Sequence, residues 1–119
     1  MKEFNLKTGQ TGERIAKEYL EKNGYKILEK NYRSKFAEID LVAKKRNELI
    51  FVEVRTKKGE LFGTPEDSLN KKKLNKLWWN AKSYASRIGW SGPYRIDAVC
   101  VVLKPDGVLE RISHHENII

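Results

Sequence analysis

Apolar residues along this chain first recur at steps of three and four. Ile15, Ala16, Tyr19 and Leu20 make one stripe, and Asn23-Gly24 closes it. That spacing predicts an amphipathic helix from about Thr8 or Gly9 to Asn23. The period then falls to two. Tyr25 to Arg33 reads as a first strand, and residues 37–43 set Ile39, Leu41 and Ala43 on one face against Glu38 and Asp40 on the other. Residues 49–57 alternate as well, with Ile50, Val52 and Val54 opposed to Phe51, Glu53, Arg55 and Lys57. A loop over residues 59–63 follows, and Thr64-Pro-Glu-Asp67 has the form of a helix start, a hydroxyl cap followed by Pro and acids. Helical spacing returns at Leu74, Leu77, Trp78, Ala81, Tyr84, Ala85 and Ile88, and Gly89 ends it. Tyr94 to Leu103 reads as a strand buried in its second half, and Val108 to Ile112 as an edge strand after the Pro105-Asp-Gly107 turn. The order is helix, three strands, helix, two strands. It predicts an α/β sandwich around one mixed sheet, with residues 1–119 as a single domain.

The pair of strands over residues 36–57 organises the rest. If the turn spans four residues, Lys45 to Glu48, Asp40 lies directly across from Glu53 on one face. A five-residue turn sends them to opposite faces. Like charges facing each other across a sheet destabilise it, and Asp is a poor strand residue. Two carboxylates in that position need a cation, supplied either by a basic side chain or by a metal.

Charge adds a partner class. The chain carries 24 Lys and Arg against 16 Asp and Glu, a net charge of +8. Such a balance favours polyanions, nucleic acid before acidic membrane surfaces. The predicted second helix holds Lys71, Lys72, Lys73, Lys76 and Lys82 off its apolar stripe, and Trp79 also lies off it. That face is either simply solvated or a docking surface, with Trp79 packed on a loop or offered as a stacking platform for a base. The N-terminus lacks the apolar core of a signal peptide, and the longest apolar run, Ala98 to Leu103, is too short to span a bilayer. A cytoplasmic protein without membrane partners is expected. Cys100 stands alone inside that run, which suits a small buried hydrophobe. His114-His115 has no carboxylate at a matching spacing, so no metal role is expected there.

Asp40 followed by Glu53-Val54-Arg55 is the constellation that carries reaction chemistry. Hydrolysis of a phosphodiester with a hard cation needs carboxylates to hold it, and a nearby positive side chain can steady charge growing on phosphorus. The plain alternative is a salt-bridged strand pair, both acids neutralised by Arg55 or Lys57. Glu13 has its own plain reading, a favourable interaction with the helix N-terminus.

Gly12-Glu13, Ala16, Tyr19-Leu20, Gly24-Tyr25, Ile27-Leu28 and Asn31-Tyr-Arg33 resemble the opening of the small YraN-like family. Glu38-Ile-Asp-Leu-Val-Ala43, Phe51-Val-Glu-Val-Arg55 and Arg95-Ile-Asp97 continue the resemblance over nearly the whole chain. That family is similar to archaeal Holliday-junction resolvases and restriction endonucleases, the PD-(D/E)XK nuclease superfamily. The resemblance implies a restriction-endonuclease-like sandwich. It also implies a site in which Glu13, Asp40, Glu53 and the carbonyl of Val54 hold Mg²⁺ or Mn²⁺. Two positions depart from the motif: Ile39 stands where its name places Pro, and Arg55 stands where it has Lys. Arginine keeps the charge without lysine's compact reach or its ability to give up a proton. Three functions follow: a metal-dependent endonuclease on structured or branched DNA, a nucleic-acid-binding module silenced at Arg55, or a protein-interaction domain. Nucleic-acid contacts are expected from Lys57, Lys72, Lys73, Lys76 and Trp79. A resolvase cutting two strands also requires a symmetric homodimer, whose interface nothing in the sequence marks.

Overall fold

The computed structural model describes residues 2–35, 37–61 and 63–119, with side chains from Lys7 onward. Phe36, at the start of the predicted strand pair, and Phe62, within the predicted 59–63 loop, lie outside the described residues. The order is α1 (Lys2–Lys22), β1 (Lys26–Arg33), β2 (Glu38–Lys45), β3 (Glu48–Lys58), a 3-10 turn η1 (Pro65–Ser68), α2 (Lys71–Arg87), β4 (Tyr94–Leu103) and β5 (Leu109–His115). The five strands form one sheet in sequence order, antiparallel except for the parallel β3–β4 pair. A parallel pair needs a crossover, and η1 with α2 supplies it. The mixed α/β sandwich expected from the pattern is the one observed. Among the described residues no helix is long and apolar enough to cross a membrane.

Each sheet face has its own core. α1 lays Ala16 and Leu20 on Leu41, Ala43, Ile50, Val52, Val54, Val99 and Val101. α2 lays Leu77, Ala81, Tyr84 and Ala85 on Val42, Leu49, Phe51 and Ile96. Burying one such Leu or Phe contributes about 1.5–3 kcal/mol, so the two stripes set where each helix sits. α1 closes as the sequence requires: Gly24 adopts φ 87°, Tyr25 N–H donates to Leu20 O at 3.0 Å, and the helix stops.

Several boundaries differ from the sequence reading. α1 begins at Lys2, not at Thr8 or Gly9, which places Glu13 in mid-helix. The helix-terminus explanation of Glu13 therefore fails, because that field dies within the first turn. Thr64 does cap a helix, accepting from Asp67 N–H, but the helix is η1 alone; α2 starts afresh at Lys71 with Asn70 as its cap. Ile88, placed on the apolar stripe by spacing, is 43 % exposed at the helix end. β5 runs on to His115, three residues beyond the expected end.

The strand pair carries the main surprise. Its turn leaves only Arg46 and Asn47 outside the ladder, and its register, with Lys44 opposite Leu49 and Leu41 opposite Val52, is the one that sets Asp40 facing Glu53. Yet the β2–β3 ladder ends at Leu41 and Val52. Beyond it, β3 continues to Lys58 against β4 alone. The alternation of β2 breaks at the same place. Ile39 packs with the α2 cluster while Leu41 and Ala43 pack with the α1 cluster, so the three do not share the face expected of them. Asn31, which the β1 register sets beside Asp40, holds φ 53°, a left-handed conformation that Asn tolerates better than most residues. β2 and β3 fork at this point.

Candidate active site

The fork opens a cleft of about 590 Å³ lined by Thr8, Gly9 and Glu13 of α1, Asp40 of β2, Val54 to Lys58 of β3, and Pro65 and Ser68 of η1. The backbone of β3 explains how the first acid is held. Val54 N–H has lost its ladder partner, and Asp40 Oδ2 accepts from it at 2.7 Å. A side chain thus does the work of a neighbouring strand, and the Asp40 carboxylate is fixed at the mouth of the fork.

Glu13 reaches the same place because Gly12 lets α1 lie directly on β3. A Cβ at Gly12 would sit 1.8 Å from Thr56 Oγ1. With the helix seated, Glu13, Glu38 and Asp40 offer carboxylate oxygens all within 4.8 Å of one another. Asn31, its amide nitrogen turned to the acids, donates to Glu13 Oε1 at 2.8 Å and to Glu38 Oε1 at 3.1 Å. Glu53 approaches Asp40 from the other side and shares a hydrogen bond with it.

These acids repel. Burial, then the charges of Asp40 and Glu38, lift the Glu13 carboxyl from 4.5 to about 7. Burial, then a hydrogen bond to Asp40 and its charge, push Glu53 far above the usual carboxylate range, against the weaker pull of Arg55 and Lys73. Arg55 answers only part of the cluster. Its Nη2 pairs with Glu53 Oε2 at 3.7 Å, and its Nε is buried without a hydrogen-bond partner. The salt-bridged reading therefore holds for Glu53, at the long end of the ion-pair range, while Glu38 pairs with Arg33 at 2.9 Å. Clustered oxygen-only donors suit a hard divalent cation, and the guanidinium nitrogen without a hydrogen-bond partner suits an anionic oxygen beside it.

Of the four positions singled out for a metal, Glu13, Asp40 and Val54 line the cleft, with Arg55 and Lys57 in its wall, while Glu53 joins them only through its hydrogen bond to Asp40. Lys72, Lys73, Lys76 and Trp79 lie outside it on the exposed face of α2. Glu38 and Asn31 were missed as neighbours of the site. An Asn in mid-strand, against its propensity, was the available signal.

The spacing argument against His115 also needs correction. η1 folds Glu66 over β4 and β5, so Glu66, Cys100 and His115 offer ligand atoms within 4.8 Å. Arg111 already bonds both oxygens of Glu66 at 3.1 Å, and His115 Nε2 lies 2.8 Å from one of them. Burial pushes the Cys100 thiol up to about 12. This set ties η1 to the sheet.

A family model described as "Uncharacterised protein family UPF0102" matches residues 12–101, from the glycine before Glu13 to near the end of β4. A UPF0102 protein of Caldanaerobacter subterraneus subsp. tengcongensis is 41% identical over 117 residues, covering 96% of each chain. Another, from Thermodesulfovibrio yellowstonii, is 39% identical over 112 residues, with 94% of this chain and 95% of that one covered. A third, from Cytophaga hutchinsonii, is 39% identical over 97 residues.

Proposed function

Because the chain belongs to the uncharacterised protein family UPF0102, whose matched segment spans every acid of the fork, we propose that it is a metal-dependent endonuclease acting on structured or branched DNA. One observation carries the reading. Carboxylates from three separate elements converge on the end of an opened strand pair, where Glu13 and Glu53 are both raised, and a buried arginine nitrogen is left without a hydrogen-bond partner beside them.

Glu13, Asp40, Glu53 and the Val54 carbonyl would hold Mg²⁺ or Mn²⁺. Such a cation, when bound, polarises a phosphoryl oxygen and acidifies a water. The chain's own residues do the rest. Asp40 is locked by Val54 N–H, so its second oxygen stays oriented toward the cleft. Glu13, lifted by burial and by the charges of Asp40 and Glu38, presents a carboxyl that a cation would return to its ionised form. Arg55 stays protonated at any working pH and acts as an electrostatic clamp on the scissile phosphate. Lys57 and Lys58 in the cleft wall favour a polyanion. Two symmetric cuts in a branched substrate need a second copy of the chain, which sedimentation in the presence of a junction would detect.

The test is a cleavage screen over branched, single-stranded and duplex DNA with Mg²⁺ or Mn²⁺, with Asp40→Ala as control for a contaminating nuclease. Metal-dependent cleavage that Asp40→Ala abolishes is expected. Cleavage that survives Asp40→Ala, or none with any substrate, overturns the reading. A second reading has its own observation. Arg55 lies 3.7 Å from Glu53, close enough to compete with a cation and leave a binding module without catalysis. Activity that appears only in Arg55→Lys would favour it.

A further inference from the structure

α2 concentrates the charge of the whole chain. Its 17 residues carry five lysines and Arg87 and no acid, six of the net eight positive charges. Lys72, Lys76 and Trp79 stand at i, i+4 and i+7, so they share one exposed face. Trp79 is 52 % exposed, an unusual place for an indole. It is also held in one pose. Half-buried Trp78 meets it edge to face, with ring centroids 5.1 Å apart and planes at 88°, and Lys82 Nζ lies 5.3 Å from its centroid. The face starts beside the fork, since Lys73 in the first turn acts on the Glu53 carboxyl. Trp79 comes about 9 Å further along the axis.

A fixed, exposed ring among cations recognises a flat π-system attached to phosphates. Bases inside a duplex already have both faces stacked, whereas an unpaired base offers one. We infer that α2 docks a single-stranded segment of nucleic acid, with Trp79 stacking an unpaired base and Lys72, Lys76 and Lys82 neutralising the flanking phosphates. The inference rests on the nucleic-acid part of the reading above. It narrows the substrate to one that presents unpaired bases next to the scissile bond.

Binding in EDTA separates it from cleavage. Fluorescence anisotropy of a labelled oligothymidylate and of a duplex of equal length should show the native chain preferring the single strand. Trp79→Ala should weaken the oligothymidylate about tenfold, the scale of one stacked base, and leave the duplex unchanged. Trp79→Phe should restore part of the loss, which a folding defect would not allow. The triple change of Lys72, Lys76 and Lys82 to Gln should flatten the salt dependence by about 0.7 units of slope per lost contact. Equal binding by native and Trp79→Ala, equal losses on both DNAs, or no binding at low salt overturns the inference. Tryptophan-dependent binding without cleavage would sink the nuclease reading alone; cleavage indifferent to Trp79 would sink this one alone.

Discussion

Two carboxylate sites lie one residue apart in the β3–β4 register, Asp97 beside Val52 and Glu53 beside Ala98, and are built in opposite ways. Asp97 of β4 is fully buried and fully answered. Arg95 Nε donates to Oδ1 at 2.9 Å, His114 Nε2 lies 2.8 Å from Oδ2, and Asn117 N–H donates to Oδ1 at 2.9 Å. Arg95 is in turn bonded to Glu48, Tyr25 and Glu116. Burial alone would raise the Asp97 pKa, but the bonds from His114, Arg95 and Asn117 outweigh it and hold the carboxyl below 3.8. In the fork, Glu13 and Glu53 lie against Asp40 instead, and those two carboxyls rise. An acid that is answered holds the fold together; acids left to repel one another store free energy that a cation can release.

Four measurements can break or sharpen this contrast. The largest effect should come from isosteric neutralisation. Asp97→Asn should lose about 3–5 kcal/mol in urea unfolding, because a fully buried anion that answers half-buried Arg95 and His114 is removed. Asp40→Asn without metal should be as stable as the native chain or more so, since its amide oxygen can still accept from Val54 N–H. Equal losses in the two variants would erase the distinction. Next, if the fork is active, Arg55→Ala should slow cleavage about 10²- to 10³-fold, the effect of losing one charge-directed donor. Metal affinity should hold or improve, as read by calorimetry. An undiminished rate would remove Arg55 from the chemistry.

Smaller still, Gly12→Ala should cost about 1–3 kcal/mol by overpacking against Thr56, and it should weaken metal binding because Glu13 rides on the displaced turn. Unchanged stability and affinity would mean that α1 is not seated as described. The subtlest effect is on pH. Between pH 4.5 and about 7, folded Glu13 keeps a proton that the unfolded chain has lost, so stability falls as pH rises through that window. Glu53, lifted further, prolongs the fall above it. Asp97 works the other way: its contribution is lost as pH drops below 3.8. Thermal melts of the metal-free chain should therefore decline on both sides of a weakly acidic optimum. Mg²⁺ should flatten the alkaline limb by taking the protons' place. A melt equally high at pH 5 and pH 8.5 without metal would contradict the raised pKa values.

Much of this was legible in the sequence, for reasons that vary by residue. Period and punctuation identify α2's stripe, the continuous apolar β4 and the Gly24 and Gly89 stops, because each is a local property. The pairing of Asp40 with Glu53 hung on a turn length, which the pattern left open and the Arg46-Asn47 turn decides. The reversal of Ile39 was not legible, since alternation assumes an unbroken ladder and the ladder ends at Leu41. The early start of α1 was hidden because Lys2 to Gly9 carries no apolar stripe. Glu66 meeting His115 depends on a crossover joining residues 49 apart, beyond the reach of any spacing rule.

The fork has one more consequence, which concerns the chain as it is made. Every acid of the cleft is in place once Glu53 has been added, but residues 53–58 of β3 pair only with β4. Until Leu103 follows, that half-strand has no neighbour on either side and is an open edge in a growing polypeptide, the kind of surface that recruits strands from other chains. Inward-pointing charge is a known defence of such edges. In the folded chain Glu53, Arg55 and the Asp40 carboxylate bonded to Val54 N–H occupy this one. The residues that make the cleft a poor place for a stranger's strand are the same ones that make it a good place for a cation.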